Sequence, residues 1–140
     1  MTLYPSPKPP RKERVKNTLE KVVVENNPME DTEQQTVVAW RRAHKILFSA
    51  TVPDRRMCQR MGYIPGVPDL MIYDRPPIVE NGLMYVGCAI EIKRRKGGVV
   101  SPEQAAWITS LRELGWACTI ARGCDEAITF LKSLGYGGRQ

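Results

Sequence analysis

Charged side chains lie inside two apolar stretches of the chain, where a buried strand ordinarily has none. Asp69 opens the run DLMIY, and Glu91 and Lys93 lie in the run CAIEIK. Because side chains alternate between the faces of a strand, Glu91 and Lys93 share one face, while Ile90 and Ile92 share the other. If the two strands pair antiparallel, Asp69 at the start of one meets Glu91 near the end of the other.

Two carboxylates that close together predict a divalent cation. They repel each other, and burial adds a desolvation cost to each charge. Mg²⁺ and Mn²⁺ prefer hard oxygen ligands of this kind, and either ion would remove the conflict. A bound cation lowers the pKa of its water and neutralises charge that develops on a phosphorus atom, and Lys93 adds a positive charge beside it. The three side chains therefore suit the hydrolysis of a phosphate ester.

Three helices are predicted around these strands. The run EDTEQQTVVAWRRAHKI begins at Glu30 and has helical spacing. Its apolar stripe is predicted to comprise Val37, Trp40, His44 and Leu47. The run SPEQAAWITSLRELG has Ser101 as an N-cap and Pro102 at the first helical position. We expect Asp125 to cap a final helix that continues through Leu134.

Four strands complete the predicted order α-β-β-β-α-β-α. The strands are the runs ILFSATV, DLMIYD, MYVGCAIEIK and WACTIAR, and RPPIVENG is a turn region. The last strand follows a helix, so it is most simply parallel to the strand before that helix. The sequence therefore predicts an α/β fold with a mixed central sheet flanked by helices.

The motifs around the charged residues resemble a known nuclease family. Pro68-Asp69 lies in GVPDL, and IEIKRRKGGVVSPEQAAW begins at Ile90. With the E…Q pattern of the first helix, these runs resemble the virus-type replication-repair nuclease (VRR-NUC) domain of the PD-(D/E)xK superfamily. The match covers about residues 29 to 134. A bare D-x(n)-E-x-K pattern often arises by chance, whereas the flanking G-V-P-D and S-P-x-Q-x-x-W make this match specific.

The resemblance implies a restriction-endonuclease-like core and a role for each matched residue. Asp69, Glu91 and the main-chain carbonyl of Ile92 would bind Mg²⁺ or Mn²⁺. Lys93 would position the attacking water or the scissile phosphate. Gln104 would be the glutamine of the S-P-x-Q motif.

An acid of the first helix would complete the implied site. We place that acid at Glu30, with Gln34 one turn later on the same face. Glu33 is the rival, because the run EDTEQQ permits more than one register.

Each of these residues also has a plain structural interpretation. Asp69 after a proline could be a turn residue, and Glu91 with Lys93 could form a solvated stripe on an exposed sheet face. Gln104 could serve only the capping box that Ser101-x-x-Gln104 spells. An acid at the start of the first helix could simply face the helix dipole.

Basic residues flank the predicted site and suit a DNA backbone. Lys and Arg outnumber Asp and Glu by 21 to 15, which gives a net charge of +6. Arg94, Arg95 and Lys96 follow Lys93, and Arg55 and Arg56 precede Asp69; we expect all five to contact phosphates. A solvated loop is the alternative for each group.

The predicted protein is a single-domain, metal-dependent DNA endonuclease. Stand-alone domains resembling it are associated with homodimers that resolve four-way Holliday junctions, so the resemblance implies branched DNA and a dimer. The alternatives are a restriction-type or flap nuclease, and a basic DNA-binding protein whose site is inactive. Direct titration with Mn²⁺ would separate an active site from an inactive one.

The domain is expected to span residues 29–140, after a proline-rich basic tail at residues 1–28. The start of the chain has no apolar signal segment, and no run approaches the roughly 18 apolar residues of a membrane span. We therefore expect a cytoplasmic protein. The four cysteines form no C-x-x-C pair, so we predict neither a zinc site nor a disulfide framework.

Overall fold

A computed structural model describes residues 28–51, 62 and 64–138. These residues form three helices and six strands. In chain order the elements are α1 (Glu30–Ala43), β1 (Phe48–Ala50), β2 (Leu70–Ile72), β3 (Val79–Glu80), β4 (Leu83–Met84), β5 (Cys88–Lys93), α2 (Pro102–Glu113), β6 (Ala117–Arg122) and α3 (Cys124–Ser133).

Four strands form one mixed sheet in the order β1-β2-β5-β6. The pairs β1–β2 and β2–β5 are antiparallel, and β5–β6 is parallel. Helix α2 makes the crossover between the two parallel strands, as such a connection requires. The predicted α/β class and mixed sheet are confirmed.

The segment predicted as a turn region contains a short hairpin that the prediction missed. Strands β3 and β4 pair antiparallel through Val79↔Met84 and Glu80↔Leu83. The two residues between them, Asn81 and Gly82, have φ of 51° and 75°. Two successive positive φ values are the requirement of a type I′ hairpin, for which Asn-Gly is the preferred sequence. The sequence signal was therefore present in ENGL.

Apolar clusters lie on both faces of the sheet. The larger cluster joins Ile72, Ile90 and Ile92 of the sheet to Val37 of α1 and Leu131 of α3. The smaller cluster joins the other face of the sheet to α2, and it comprises Ala89, Cys118, Ile108 and Leu111 with Trp107 and Trp116 packed against it. Because Glu91 alternates with Ile90 and Ile92 along β5, its side chain lies on the same face as α2.

The predicted apolar stripe of the first helix is wrong at its C-terminal end. Helix α1 ends at Ala43, and His44 is its C-cap. Leu47 lies beyond the helix and is 62% exposed. Val37 is buried and Trp40 packs against the core, as the stripe predicted.

The N-cap predicted for the last helix is also wrong. The N-cap of α3 is Gly123, with φ of 100°, and it makes no side-chain cap. The carboxylate of Glu33 accepts the Cys124 N–H at 2.6 Å instead. A cap supplied by a residue 91 positions away leaves Asp125 free to pair with Arg95 at 2.7 Å. The helix also ends at Ser133, with Leu134 as its C-cap.

Two further observations concern the limits of the chain. Within the described ranges, no helix is long and apolar enough to cross a membrane. Pro28, predicted to end the tail, is buried. Residues 1–27 of that tail lie outside the described residues, as do Arg55 and Arg56.

Candidate active site

The antiparallel pairing of β2 and β5 brings the two predicted carboxylates together. Leu70 pairs with Ile90 and Met71 with Ala89, so extending the register by one residue brings Asp69 opposite Glu91. Asp69 Oδ2 accepts the main-chain N–H of Ile92 at 2.7 Å. This bond fixes the Asp69 carboxylate against the end of β5.

The Glu91 carboxylate is buried, and its two oxygens differ in their contacts. The residue is 2% exposed, and Lys93 on the same face is 6% exposed. Lys93 Nζ lies 3.2 Å from Glu91 Oε1. Among the described residues, buried Glu91 Oε2 has no hydrogen-bond partner. The interpretation of Glu91 and Lys93 as a solvated stripe is therefore wrong.

Burial and neighbouring acids oppose ionisation of both carboxyls. Desolvation, together with the nearby Asp69, raises the pKa of Glu91 to about 7 against the pull of Lys93. Desolvation also raises the pKa of Asp69, although the Ile92 N–H and Lys93 both favour its charged form. Within the described protein, Lys93 therefore does not fully offset the cost of ionising Glu91 at neutral pH.

Gln104 serves the helix cap and contacts Glu91 in the same conformation. Ser101 Oγ accepts the Gln104 N–H at 3.1 Å, and Gln104 Oε1 accepts the Ser101 N–H at 2.9 Å. The other end of the same amide, Nε2, donates to Glu91 Oε1 at 2.5 Å. The capping box is therefore present, and the contact with Glu91 is compatible with the site role, which stays a prediction.

The loop that precedes Asp69 is fitted closely against the start of α2. Gly66 has φ of +92°, and a Cβ built there would lie 2.6 Å from the main-chain carbon of Glu103. Trp107 Nε1 donates to the Pro65 carbonyl at 3.0 Å. The loop that contains G-V-P-D therefore packs directly on the helix start that contains S-P-x-Q-x-x-W.

The two candidate acids of α1 have different surroundings. Glu30 Oε1 accepts the Arg94 N–H, at 3.3 Å, and its charge contributes to the raised pKa of Asp69. Glu33 is fully buried and pairs with Arg95 Nε at 2.8 Å. Glu30 is therefore close enough to the Asp69–Glu91 pair to affect it electrostatically. Glu33 instead joins α1 to the loop after β5 and to the start of α3.

The three basic residues that follow β5 lie in different environments. Arg95 contacts Glu33 and Asp125, so its guanidinium ties three elements together. Lys96 is exposed, and Arg94 is half-buried. Contact of these residues with DNA stays a prediction.

The donors present fit a hard divalent cation. No group of three or more His, Cys, Asp or Glu side chains in the described part of the chain could hold a metal ion. Mg²⁺ needs no such group, because it usually keeps several waters and takes only one or two protein carboxylates. Asp69 and the unpartnered Oε2 of Glu91 meet that need. The Ile92 N–H points towards Asp69, and the carbonyl of a strand residue faces the same side as its N–H.

Comparison with solved structures finds a similar fold in a nuclease-type domain. A solved structure described as a VRR_NUC domain protein is 26% identical to this chain, and the match covers 79% of this chain and 90% of the other. Its TM-score is 0.63. The chain folds as a VRR-NUC domain. Its fold and its Asp69–Glu91–Lys93 geometry support a nuclease of the PD-(D/E)xK type, and the resemblance seen in the sequence is confirmed.

Two other comparisons found no relative. No family model matches the chain, and no curated protein matches it. The assignment to the VRR-NUC domain therefore depends on the three-dimensional match and on the residues of the site.

Proposed function

We propose that this VRR-NUC domain is a metal-dependent endonuclease that hydrolyses DNA phosphodiesters. The observation that carries the proposal is the buried pairing of Asp69 with Glu91, beside Lys93. Two acids whose pKa values are raised, chiefly by desolvation, are costly to keep ionised in a fold. That cost is explained if the pair binds Mg²⁺ or Mn²⁺.

Asp69, Glu91 and the carbonyl of Ile92 would hold the ion. When bound, it would supply an acidified water and a positive charge beside the phosphate. Lys93 would orient the attacking water or the scissile phosphate from the face that it shares with Glu91. Glu30, which accepts the Arg94 N–H, would position the end of β5 and complete the negative side of the site.

Among the described residues, neither His44 nor the buried cysteines are suited to attack the phosphate as a covalent nucleophile. His44 is exposed, and its Nδ1 contacts the Trp40 carbonyl at 2.8 Å in the last turn of α1. The buried thiols of Cys88 and Cys124 have raised pKa values, chiefly because of desolvation, so both disfavour the nucleophilic thiolate. We therefore infer hydrolysis in a single displacement.

DNA would be recognised by its backbone and shape. Arg94 and Lys96 lie next to Lys93 in the loop that leaves the active strand, and Arg55 and Arg56 precede Asp69 in the sequence. Phosphate contacts of this kind position a duplex but carry no base sequence. Arg95 is already paired with Glu33 and Asp125, so any phosphate contact it makes would be shared with those acids.

The finer proposal is a homodimer that cuts a four-way junction. It derives from the family resemblance together with a symmetry argument. A symmetric junction needs two cuts, and two copies of a one-site domain related by a two-fold axis supply two sites. We expect a junction to be cut faster than a linear duplex, a flap or a single strand.

Cleavage of end-labelled DNA tests the proposal. A four-way junction, a flap, a linear duplex and a single strand are incubated with the protein in Mg²⁺, in Mn²⁺ and in EDTA. Lys93→Ala should lower cleavage by about 10² or more, since it removes a charge beside the reacting phosphate. Lys132→Ala, at an exposed lysine of α3, is the matched control and should cut normally.

The outcomes separate the levels of the proposal. Paired cuts on the junction support the resolvase, and sedimentation would then measure the dimer. Metal-dependent cutting that is as fast on a flap or a duplex retains the nuclease and rejects the junction. DNA binding without cleavage and without uptake of Mn²⁺ would mean an inactive DNA-binding protein.

A further inference from the structure

The side-chain amide of Gln104 is held at both ends. Its Oε1 accepts the Ser101 N–H, and its Nε2 donates to Glu91 Oε1. An amide has an acceptor at one end and donors at the other. A reversed amide would turn its NH₂ group against the Ser101 N–H and its oxygen against the Glu91 carboxylate. The Ser101 N–H therefore determines that the donor end of Gln104 faces Glu91.

The Ser101 hydroxyl also fixes the position of the Gln104 main chain. Ser101 Oγ accepts the Gln104 N–H, which completes a capping box at the start of α2. Such a box satisfies two main-chain N–H groups reciprocally and restricts both side chains. The rotamer of Gln104 is consequently set by the helix cap before Glu91 is considered.

The two side-chain donors that contact Glu91 share one of its oxygens. Gln104 Nε2 and Lys93 Nζ both contact Oε1, at 2.5 Å and 3.2 Å. Oε2 is buried and lacks a hydrogen-bond partner within the described residues. Because both donors meet the same oxygen, their contacts fix the orientation of the carboxylate plane. The carboxylate is therefore held with a single oxygen to offer.

We propose that Ser101 is a positioning residue of the cation site. It orients the Gln104 amide, Gln104 holds Glu91 Oε1, and Oε2 is left as the oxygen available to the ion. This inference rests on the metal site of the proposed function. It goes beyond that function because Ser101 contacts neither carboxylate in the hydrogen bonds of the structure, and acts through Gln104.

Two measurements on the full chain test the role of Ser101. The first is the ¹H–¹⁵N NMR signal of the Gln104 side-chain amide in EDTA, assigned by its loss in Gln104→Ala. The second is the dissociation constant for Mn²⁺, measured by calorimetry without DNA. Neither measurement depends on cleavage activity.

Ser101→Ala, Ser101→Thr and Ile128→Val form the set of variants. Ser101→Ala keeps the main-chain N–H but removes the hydroxyl that holds the main chain of Gln104 in the capping box. It should shift the signal of the Gln104 amide and raise the Mn²⁺ dissociation constant about 10-fold or more, as loss of an indirect support of a ligand typically does. Ser101→Thr keeps an N-cap hydroxyl and should restore both. Ile128→Val removes a methylene from the distant core cluster, lowers stability to a similar extent, and should change neither readout.

Each contrary result has a distinct meaning. If wild-type protein binds Mn²⁺ and Ser101→Ala binds it equally tightly, the positioning role is wrong and the metal site stands. If Ile128→Val weakens Mn²⁺ binding as much as Ser101→Ala, the role of Ser101 is structural only and the inference falls. If wild-type protein binds no Mn²⁺, the proposed function and the inference fall together.

Discussion

Glu91 shows how one residue can connect the stability of this domain to its chemistry. Its carboxyl is buried beside Asp69, and its pKa is raised to about 7. Lys93 and Gln104 both contact Oε1, whereas Oε2 has no hydrogen-bond partner among the described residues. A residue that served stability alone would be better replaced by a neutral side chain of the same shape.

Glu91→Gln should therefore stabilise the metal-free domain in a pH-dependent manner. Because the pKa of Glu91 is higher in the folded state than the ordinary 4.5, its contribution to stability is full below about pH 4.5 and is lost as the pH rises through 7. At pH 8 the variant should gain about 1–3 kcal/mol in the free energy of unfolding over wild type. At pH 4.5 the difference should largely vanish.

Urea unfolding in EDTA at the two pH values measures this difference. Glu113→Gln, at an exposed position in the last turn of α2, is the control and should show no comparable pH dependence. Equal stability of Glu91→Gln and wild type at pH 8 would contradict the raised pKa. Excess Mn²⁺ should stabilise wild type and not the variant, because a ligand that binds only the folded state shifts the equilibrium towards it.

At the scale of elements, α1 presents acids one turn apart to two separate networks. Glu30 reaches the Arg94 N–H at the end of β5. Glu33 receives Arg95 and the first N–H of α3, so it joins a helix, a strand end and a second helix. Glu33 therefore secures the fold, and we propose that Glu30 positions the site.

Substitution of these two acids should separate stability from activity. Glu33→Ala leaves Arg95 partly buried without its main partner, and should cost about 3 kcal/mol in the free energy of unfolding. Glu30→Ala should change stability by about 0.5 kcal/mol or less, because Glu30 is only half-buried, yet should slow cleavage. Denaturant unfolding and single-turnover cleavage measure the two effects. The reverse pattern would make Glu33 the acid of the site.

Gly66 makes the packing of the Asp69 loop on α2 testable. An alanine Cβ at this position would lie 2.6 Å from the main chain of Glu103, in addition to the cost of a φ of +92°. Gly66→Ala should destabilise the domain by about 1–3 kcal/mol and lower cleavage, since the loop and Asp69 must shift. Gly82→Ala is the matched control, because Gly82 has φ of +75° but nothing within 4 Å of an added Cβ. A Gly66→Ala variant no less stable than Gly82→Ala would contradict the close packing.

The sequence predicted the centre of this arrangement better than its edges. Alternation along two strands was enough to bring Asp69 to Glu91, because strand geometry is local and regular. The choice between Glu30 and Glu33 depended on how α1 rotates against β5, which contacts between distant residues decide. The cap of α3 was missed for the same reason, since Glu33 supplies it from 91 positions away.

Some features were legible in the sequence and were not recognised. The Asn81-Gly82 pair indicates the β3–β4 hairpin, but this segment was predicted as a turn region. The second role of Gln104 could not be separated from its cap, because S-x-x-Q describes the helix start whether or not the other end of the amide has a partner. The hydrogen bond from Gln104 to Glu91 could be identified only once the position of α2 on the sheet was known.

At the scale of the whole molecule, positive charge is divided between the folded domain and the start of the chain. Residues 1–27 contain six Lys or Arg and three acids, so they hold half of the net charge of +6. The described residues of the site all lie from Glu30 onwards. Charge at the start of the chain can therefore influence how much DNA is bound without taking part in the hydrolysis.

Removal of residues 1–27 separates these contributions. A chain that begins at Pro28 keeps this buried residue and every described group of the site, so its cleavage rate at saturating DNA should equal that of the full chain. The affinity of the shortened chain for DNA should depend on the basic residues that remain. The number of their phosphate contacts can be measured, because each contact contributes about 0.9 to the slope of log affinity against log salt. Lys96→Ala in the shortened chain should reduce that slope by about one such contact. If the shortened chain folds normally but no longer cuts saturating DNA, the start of the chain belongs to the catalytic machinery and the division of labour is wrong.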